Sequence, residues 1–213
     1  MLENPSQAWA RTRAHARIVV LISGTGSNLQ AILDACASGE LNAQVVAVIS
    51  DKNQAYGLER ARLARVLAIA KVKPKNQERR DYDAELADLV ASYHPDWIAL
   101  AGWMRILTSA FVDRFPNRII NLHPALPGAF PGTHAIERAY YAYCRNEIDH
   151  TGVMVHYVSD EQVDAGPALE VETVPIYAED TVETLEARIH TVEHRLLVSV
   201  LKKLVSPSES ARG

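Results

Sequence analysis

Hydrophobic residues occur along this chain as short continuous runs, separated by stretches in which they recur every three or four positions. Residues 17–22 and 45–49 are continuous and rich in β-branched side chains, which is typical of strands buried on both faces. Between these runs the apolar positions follow a helical period, and Gly39 is the expected end of that helix. This alternation predicts parallel strands joined by helices.

The alternation continues through the first two thirds of the chain and then changes. Further strands are predicted at residues 67–72, 97–101 and 118–121, and further helices at residues 57–65, 82–93 and 109–114. Beyond Gly132 we expect a helix over 135–145, a hairpin of strands at 152–158 and 169–174, and a long closing helix with an apolar stripe from Val182 to Val200. The predicted fold class is α/β: a single Rossmann-like domain with a mostly parallel twisted sheet, helices on both faces, a C-terminal antiparallel hairpin and a long helix.

Length, charge and cysteine content limit the possible functions. The 213 residues are enough for one domain, which we expect at residues 17–205, between disordered ends at 1–16 and 206–213. A formal net charge of -4 argues against nucleic acid as a partner, because there is no basic excess to neutralise phosphates. The sequence lacks the run of about 18 apolar residues that a membrane span needs. Two cysteines are too few for a disulfide framework, so the cytoplasm is the default localisation.

A glycine-containing loop, Ser-Gly-Thr-Gly-Ser-Asn at residues 23–28, joins the first predicted strand to the first helix. Glycines let the backbone approach an anion, and a helix N-terminus offers unpaired N–H groups and the positive end of its dipole. The spacing differs from the Gly-x-Gly-x-x-Gly of dinucleotide sites, so a single phosphate is the favoured ligand. The alternative is a turn in which Ser27 or Asn28 only caps the helix.

A second candidate site lies at the end of the strand predicted at residues 97–101. Gly102 allows a sharp exit from the strand, and Met104, Ile106 and Leu107 could line an apolar slot for a flat ring. The alternative is that these apolar residues simply belong to the core.

Two short motifs carry groups that a transfer reaction needs: Asn-Leu-His-Pro at residues 121–124 and Asp-Ala-Gly-Pro at residues 164–167. Asn121 can supply an uncharged N–H donor, His123 a proton donor, and Asp164 a charge that keeps the imidazole protonated. Each motif alone is also compatible with an ordinary turn. Together they favour an acyl- or formyl-transfer site, whose activity should fall in acid as Asp164 and an attacking amine become protonated.

These segments resemble, in the same order, the phosphoribosylglycinamide formyltransferases, a family of folate-dependent formyltransferases. The resemblance covers residues 17–205 and includes the run at 18–32 and Gly-Leu-Glu-Arg-Ala at 57–61. Gly-x-Gly-Ser-Asn-Leu-Gln is fairly specific to this family, whereas Asn-x-His-Pro with the later Asp is shared by folate-dependent formyltransferases generally. The resemblance implies transfer of a formyl group from 10-formyltetrahydrofolate to the amine of glycinamide ribonucleotide, in purine (IMP) biosynthesis.

The resemblance also implies a role for each matched residue. It implies a catalytic set of Asn121, His123 and Asp164, a substrate set of Gly26, Ser27, Asn28 and Glu193, and a folate set of Arg79, Met104, Arg105, Ile106, Leu107 and Asn121. Considered alone, Arg79 and Glu193 would be solvated charges on helices, and the adjacent Arg80 leaves the register open. Ala165 stands where glycine is commoner in the family, so we expect it to avoid a positive φ.

Other functions stay open at this level. A related class hydrolyses formyltetrahydrofolate with the same Asn, His and Asp set, usually with an N-terminal domain that sixteen residues cannot form. Another amine formyltransferase, such as one for methionyl-tRNA, would need a tRNA-binding domain and a basic surface. A non-catalytic nucleotide-binding module would leave the three polar residues without a role. The expected partners are therefore glycinamide ribonucleotide and a reduced folate, without metal, nucleic acid or membrane, and a homodimer is left open.

Overall fold

A computed structural model describes residues 15–206, which alternate between strands and helices. The strands are β1 (Ala16–Ile22), β2 (Ala43–Ser50), β3 (Ala68–Ala70), β4 (Trp97–Leu100), β5 (Ile119–His123), β6 (His150–Tyr157) and β7 (Ala168–Pro175). The helices are α1 (Ser27–Ala37), α2 (Tyr56–Leu63), α3 (Arg79–Ser92), α4 (Ser109–Val112), α5 (Ala135–Cys144) and α6 (Val182–Val205).

The strands form one sheet in the order β3-β2-β1-β4-β5-β6-β7. Strands β1 to β5 pair in parallel, and β6 and β7 add an antiparallel hairpin next to β5. Parallel neighbours need long crossovers, which the helices supply, whereas a hairpin needs only a loop. The predicted α/β fold, with a mostly parallel sheet and a C-terminal hairpin and helix, is confirmed.

Both faces of the sheet are covered, as the continuous apolar runs predict. In β1, Ile18, Val20 and Ile22 belong to the core that also contains residues of α1, α2, α5 and α6. The alternate residues Val19 and Leu21 belong to the core formed with α3 and α4. Successive side chains of a strand point to opposite faces, so a strand with a helical layer on each side must be apolar throughout.

The order of the strands reverses direction at β1, which lies between β2 and β4. Crossovers from such neighbouring strands leave toward opposite faces, so a crevice opens beyond their carboxyl ends. The glycine loop follows β1, and the apolar segment at residues 102–107 follows β4. Two of the predicted sites therefore lie beside each other at this switch point.

Strand β5 is longer at its carboxyl end than predicted. It continues to His123, because β6 pairs with it in register as far as the contact of His123 with Met154. Asn121 and His123 are two residues apart on a strand and project from the same face of the sheet. The pairing with β6 thus orients two of the predicted catalytic side chains together.

The described part of the chain extends slightly beyond the predicted domain. Ala16 is the first residue of β1, and His15 forms a 2.7 Å hydrogen bond with the Asn42 side chain, so both belong to the fold. Ser206 ends α6 as its C-cap. The rest of the two predicted disordered ends lies outside the described residues. Within residues 15–206, no helix has the length and apolar character needed to cross a membrane.

Asp180 holds the loop between β7 and α6 and so fixes the start of the long helix. Its buried carboxylate accepts two 2.7 Å hydrogen bonds from the Arg188 guanidinium and one of 2.8 Å from the Tyr177 N–H. These interactions, above all those with Arg188, hold the pKa of Asp180 well below its ordinary value of 3.8.

We expect Asp180→Asn to lower the free energy of unfolding by about 1–3 kcal/mol at neutral pH, because charge-assisted hydrogen bonds are lost. A carboxyl with a depressed folded pKa stabilises the fold fully above its unfolded pKa and loses that contribution as the pH falls toward the folded pKa. The difference between wild type and variant should therefore shrink below about pH 4. Urea unfolding at pH 7 and pH 3 measures both quantities.

Glu147→Gln is the matched control, since it breaks the exposed ion pair between Glu147 and Arg145. Such a fully exposed pair contributes little to stability, so this variant should be nearly as stable as wild type. If Asp180→Asn lowered the free energy of unfolding equally at both pH values, this would contradict the lowered pKa of Asp180.

Candidate active site

A cleft of about 330 Å³ opens beyond the carboxyl ends of β4 and β5. Its walls come from residues 102–107, from the end of β5, from residues 132–135 and from the loop that precedes Asp164. The predicted catalytic residues Asn121, His123 and Asp164 all line it. A larger groove of about 980 Å³ lies between α1, α2 and β2 and contains none of the predicted site residues.

The three predicted catalytic side chains are in direct contact. His123 Nδ1 lies 3.3 Å from Asp164 Oδ2, and the Asn121 amide nitrogen donates a 2.9 Å hydrogen bond to Asp164 Oδ1. The Gly132 N–H donates a further hydrogen bond of 2.8 Å to Asp164 Oδ2. Asp164 is thus the acceptor that joins β5 to the two loops beside it.

His156 is a member of this cluster that the sequence analysis missed. It is buried on β6 directly opposite Asn121, and its Nε2 lies 3.1 Å from the Asn121 amide nitrogen. Its Nδ1 faces the Tyr157 carbonyl at 2.8 Å, so Nδ1 carries a proton, and Nε2 is the ring atom that faces the Asn121 amide. His156 is identified as part of the site only by its pairing opposite Asn121, and the sequence alone does not reveal this register.

Both N–H groups of the Asn121 amide therefore already have hydrogen-bond partners within the protein. Its two N–H groups point to Asp164 and to His156, which is the full donor capacity of the side chain. Asn121 can act as a donor to a substrate oxygen only by exchanging one of these hydrogen bonds. The predicted role of Asn121 as an uncharged N–H donor therefore requires such an exchange.

The protonation state of His123 also differs from the sequence-based expectation. Burial is the largest influence and lowers the pKa of His123, the Asp164 charge opposes it, and the net pKa lies below the ordinary 6.5. Asp164 therefore does not keep this imidazole protonated at neutral pH. Yet both ring nitrogens face acceptors, since Nε2 lies 3.3 Å from the Ala129 carbonyl oxygen. The ring is poised to take up a proton when further negative charge develops nearby.

The carboxyl of Asp164 remains ionised over the useful pH range. Burial is the largest single influence and raises its pKa, but His156 at 3.6 Å, the Gly132 N–H and the charge of His123 together lower it below 3.8. Protonation of Asp164 is thus confined to pH values below about 4. Asp164 therefore contributes to the predicted fall of activity in acid only at pH values below about 4, and the role of the substrate amine in that fall stays a prediction.

We expect the His123 imidazole to titrate below pH 6.5 in the wild type and lower still in Asp164→Asn, because the variant lacks the charge that raises its pKa. Titration of ring-labelled histidine by NMR measures both values. Asp149→Asn is the control, since that exposed carboxylate contacts His150 instead. An unchanged or higher pKa of His123 in Asp164→Asn would show that the two groups do not interact.

The apolar segment after β4 is divided between the cleft and the core. Met104 and Ile106 are 59% and 45% exposed and line the cleft, whereas Leu107 is 3% exposed and contributes to both. The alternative that these residues simply belong to the core thus holds for only part of the segment. Arg105 lines the same cleft and lies over the Tyr82 ring, at 5.0 Å from its centre.

Arg79 reaches this segment from α3. Its Nε donates a 3.1 Å hydrogen bond to the carbonyl oxygen of Ile106, and Arg80 is exposed. The contact favours Arg79 over Arg80 as the residue next to the apolar segment. Arg79 does not line the cleft itself, so any contact with a ligand there needs a ligand that extends beyond the cleft.

Asn28, in the predicted phosphate loop, contacts Glu193 on the distant helix α6. Asn28 donates a 3.2 Å hydrogen bond to Glu193 Oε2, and His190 Nδ1 lies 2.7 Å from the same oxygen. Glu193 is only 4% exposed, so the alternative of a solvated surface charge is wrong. Asn28 Oδ1 is buried without a hydrogen-bond partner. Because no side chain caps α1, the alternative of a simple helix cap is not supported.

Close packing of two glycines sets the shape of this loop. Gly26 adopts φ 75°, and a Cβ at this position would lie 2.6 Å from Gly57 Cα at the start of α2. The Gly57 N–H donates to the Gly24 carbonyl at 3.1 Å. A Cβ on Gly57 would in turn collide with Ile22 Cδ1 and lie 3.2 Å from Gly26 Cα, so the beginning of α2 also needs a glycine.

The loop that carries Asp164 has a constrained backbone. Asp164 itself adopts φ 53°, whereas Ala165 is absent from the described residues with positive φ, as expected from its side chain. A Cβ on Gly166 would collide with the Tyr157 carbonyl oxygen. Strained backbone of this kind is typical of functional sites. Among residues 15–206, no group of three His, Cys, Asp or Glu side chains has the arrangement of a metal site.

Comparisons with known proteins agree with this geometry. Residues 16–201 match the model of the formyl transferase family. The phosphoribosylglycinamide formyltransferase of Dictyostelium discoideum is 48% identical over 200 residues, which cover 88% of this chain and 97% of that protein. Crystal structures of glycinamide ribonucleotide transformylase 1 from Symbiobacterium toebii and of phosphoribosylglycinamide formyltransferase from Bacillus halodurans superpose with TM-scores of 0.83 and 0.84, at 42% and 37% identity. These alignments cover 89% and 91% of this chain and 87% and 97% of the two known chains. The chain therefore belongs to the formyl transferase family and, within it, to the phosphoribosylglycinamide formyltransferases.

Proposed function

We propose that this chain transfers the formyl group of 10-formyltetrahydrofolate to the amine of N1-(5-phospho-D-ribosyl)glycinamide, giving formylglycinamide ribonucleotide and tetrahydrofolate in purine (IMP) biosynthesis. The observation that carries the proposal is the contact of His123, Asp164 and Asn121 at the wall of one cleft. The names of the relatives contain formyl transfer and the glycinamide ribonucleotide, which agrees with the proposed acceptor.

The pterin ring of the folate binds in the slot formed by residues 104–107, with the loop before Asp164 on its other side. An apolar wall with a few backbone polar groups is the usual environment for a flat heterocycle. The exposed side chains of Met104 and Ile106 support this assignment, because they supply apolar surface that the free protein leaves uncovered. Arg105 and Asn121 are further folate contacts, and Arg79 contacts the part of the folate beyond the ring.

The phosphorylated substrate binds at the glycine loop, with its phosphate on the backbone N–H groups of Gly26, Ser27 and Asn28 at the start of α1. A helix N-terminus without a side-chain cap is suited to an anion. Glu193 lies behind Asn28 and contacts the ribose or the amine of the substrate. Its burial beside Asn28 supports a role that a solvated charge would not have.

The reaction follows from the charges in the cleft. The neutral substrate amine attacks the formyl carbon, whose oxygen becomes an oxyanion, and the amine nitrogen becomes cationic. His123 is largely neutral beforehand and accepts the proton that the cationic amine nitrogen loses as the oxyanion forms, because Asp164 and the oxyanion both favour the imidazolium. The imidazolium and one N–H of Asn121 then stabilise the oxyanion. The proton passes to N10 of the folate as the carbon–nitrogen bond breaks, so tetrahydrofolate leaves neutral at that nitrogen.

The direct test is to incubate the protein with 10-formyltetrahydrofolate in the presence and absence of glycinamide ribonucleotide. We expect formylated ribonucleotide and tetrahydrofolate in equal amounts, and almost no consumption of the folate without the acceptor. Release of formate at the same rate with and without the acceptor would instead identify a hydrolase, which is the alternative function for the same three residues.

A charge in the apolar slot should weaken folate binding. We expect Ile106→Glu to raise the dissociation constant of tetrahydrofolate at least about tenfold, because a carboxylate loses its hydration against the ring. Calorimetric titration gives the value. The control is Val72→Glu, which places the same charge at a residue of similar exposure that does not line the cleft. Equal affinity of Ile106→Glu and wild type would exclude Ile106 from the slot.

A further inference from the structure

Ser23 connects the two loops to which the proposed function assigns the two substrates. It follows β1 directly and is only 3% exposed. Its N–H donates a 2.9 Å hydrogen bond to the Gly102 carbonyl oxygen, and its Oγ accepts one of 2.9 Å from the Met104 N–H. One buried side chain at the start of the phosphate loop thus holds the first residues of the folate segment.

The other end of the folate segment is fixed to a different element. The buried Asp83 carboxylate on α3 accepts a 2.7 Å hydrogen bond from the Thr108 N–H, and Arg79 on the same helix donates to the Ile106 carbonyl. The segment is therefore a short span with one end on α3 and the other on Ser23. Because the far end is bound to α3, the Ser23 hydroxyl is the side-chain contact through which a displacement of the phosphate loop would reach Met104.

We propose that Ser23 is a positioning residue that couples the binding of the phosphorylated substrate to the binding of the folate. This inference rests on the proposed function, since it needs both ligands to bind at these loops. Ser23 touches neither ligand in this account. A phosphate on the N–H groups of Gly26 and Ser27 orders the phosphate loop, and the Ser23 Oγ then holds the Met104 backbone in the position that the pterin requires. Coupling of this kind is reciprocal, so each ligand tightens the other by the same factor.

The test measures a ratio of affinities in the intact protein. Tetrahydrofolate has no formyl group to transfer, so its dissociation constant can be determined by calorimetry with and without saturating glycinamide ribonucleotide. We expect the wild type to bind tetrahydrofolate about fivefold or more tightly when the ribonucleotide is present, which is the lower range of ordinary coupling. The ratio of interest is the dissociation constant of tetrahydrofolate without the ribonucleotide divided by that with it. In Ser23→Ala, which loses only the hydroxyl, this ratio should fall below half the wild-type ratio.

Ser50→Ala is the matched control. Ser50 is a fully buried serine at the carboxyl end of the neighbouring strand β2, and its Oγ also accepts a backbone hydrogen bond, from Lys52. That bond lies within one turn and joins no two loops, so Ser50→Ala should retain the wild-type ratio. A general loss of stability would weaken both binding steps without changing the ratio, which separates positioning from a merely structural role.

The outcomes distinguish this inference from the proposed function. A wild type that transfers the formyl group but shows a ratio of one, or a Ser23→Ala ratio of at least half the wild-type ratio, overturns the coupling alone. A wild type that binds neither ligand overturns the proposed function. A second measurement needs no variant: in the wild type, the ribonucleotide alone should slow amide hydrogen exchange at Met104. Unchanged exchange there would also overturn the coupling.

Discussion

Replacement of His123 by alanine is expected to lower kcat by roughly two to four orders of magnitude, as the loss of a proton-transfer group and an oxyanion donor implies. The imidazole is 3% exposed, and water in the space that it leaves cannot reproduce a ring held between Asp164 and the Ala129 carbonyl. The KM values should change much less, because His123 acts mainly on the oxyanion rather than on the bound substrates.

Steady-state formation of tetrahydrofolate gives kcat for His123→Ala. The control is His150→Ala, which removes an exposed imidazole at the start of β6, outside the cleft. That variant should have wild-type activity. A kcat of His123→Ala within tenfold of the wild type would remove this residue from the chemistry.

Asp164→Asn should cause a similar loss of kcat while it leaves the imidazole in place. The carboxylate accepts from Asn121 through one oxygen and from the Gly132 N–H through the other, and it faces His123. An amide has one accepting oxygen, so at least one of these donors loses its partner, and the charge that favours the imidazolium is lost as well.

The same assay measures Asp164→Asn, with Asp149→Asn as the control of an exposed carboxylate. NMR of the His123 ring establishes that the imidazole is still present in its ordinary surroundings. Near wild-type kcat in Asp164→Asn, with the fold retained, would mean that the charge of Asp164 is not needed for the reaction.

Most of the fold could be predicted from the sequence, because the spacing of apolar residues reflects which side chains are buried in each strand and helix. The run at 17–22 is apolar at every position, and only a strand with a helical layer on each side buries all of it. The long helix was identified from its apolar stripe in the same way. Periodicity does not fix the end of a strand where pairing decides it: β5 extends to His123 because β6 pairs with it that far.

The candidate site was predicted in part. Asn121, His123 and Asp164 were identified as a set from residue type, and their contacts agree with that prediction. The role of His156 depends on the register between β5 and β6, and the burial of Glu193 depends on the packing of α6 against α1. Long-range contacts of this kind leave no local pattern in a single sequence.

The sign of the His123 pKa shift could not be predicted for a related reason. The sequence suggests a carboxylate partner, which raises the pKa, but it does not reveal how deeply the ring is buried. In the folded protein, burial outweighs the charge of Asp164. The balance between the two effects therefore needs the three-dimensional environment of the ring.

The double variant His123→Ala/Asp164→Asn tests most directly whether His123 and Asp164 act as one unit in formyl transfer. Groups that act as a unit give losses that are far from additive. We predict that kcat of the double variant lies within about threefold of the slower single variant, because either substitution already disables the pair. If the two separate losses instead multiply in the double variant, the residues act independently and the account of the mechanism is contradicted.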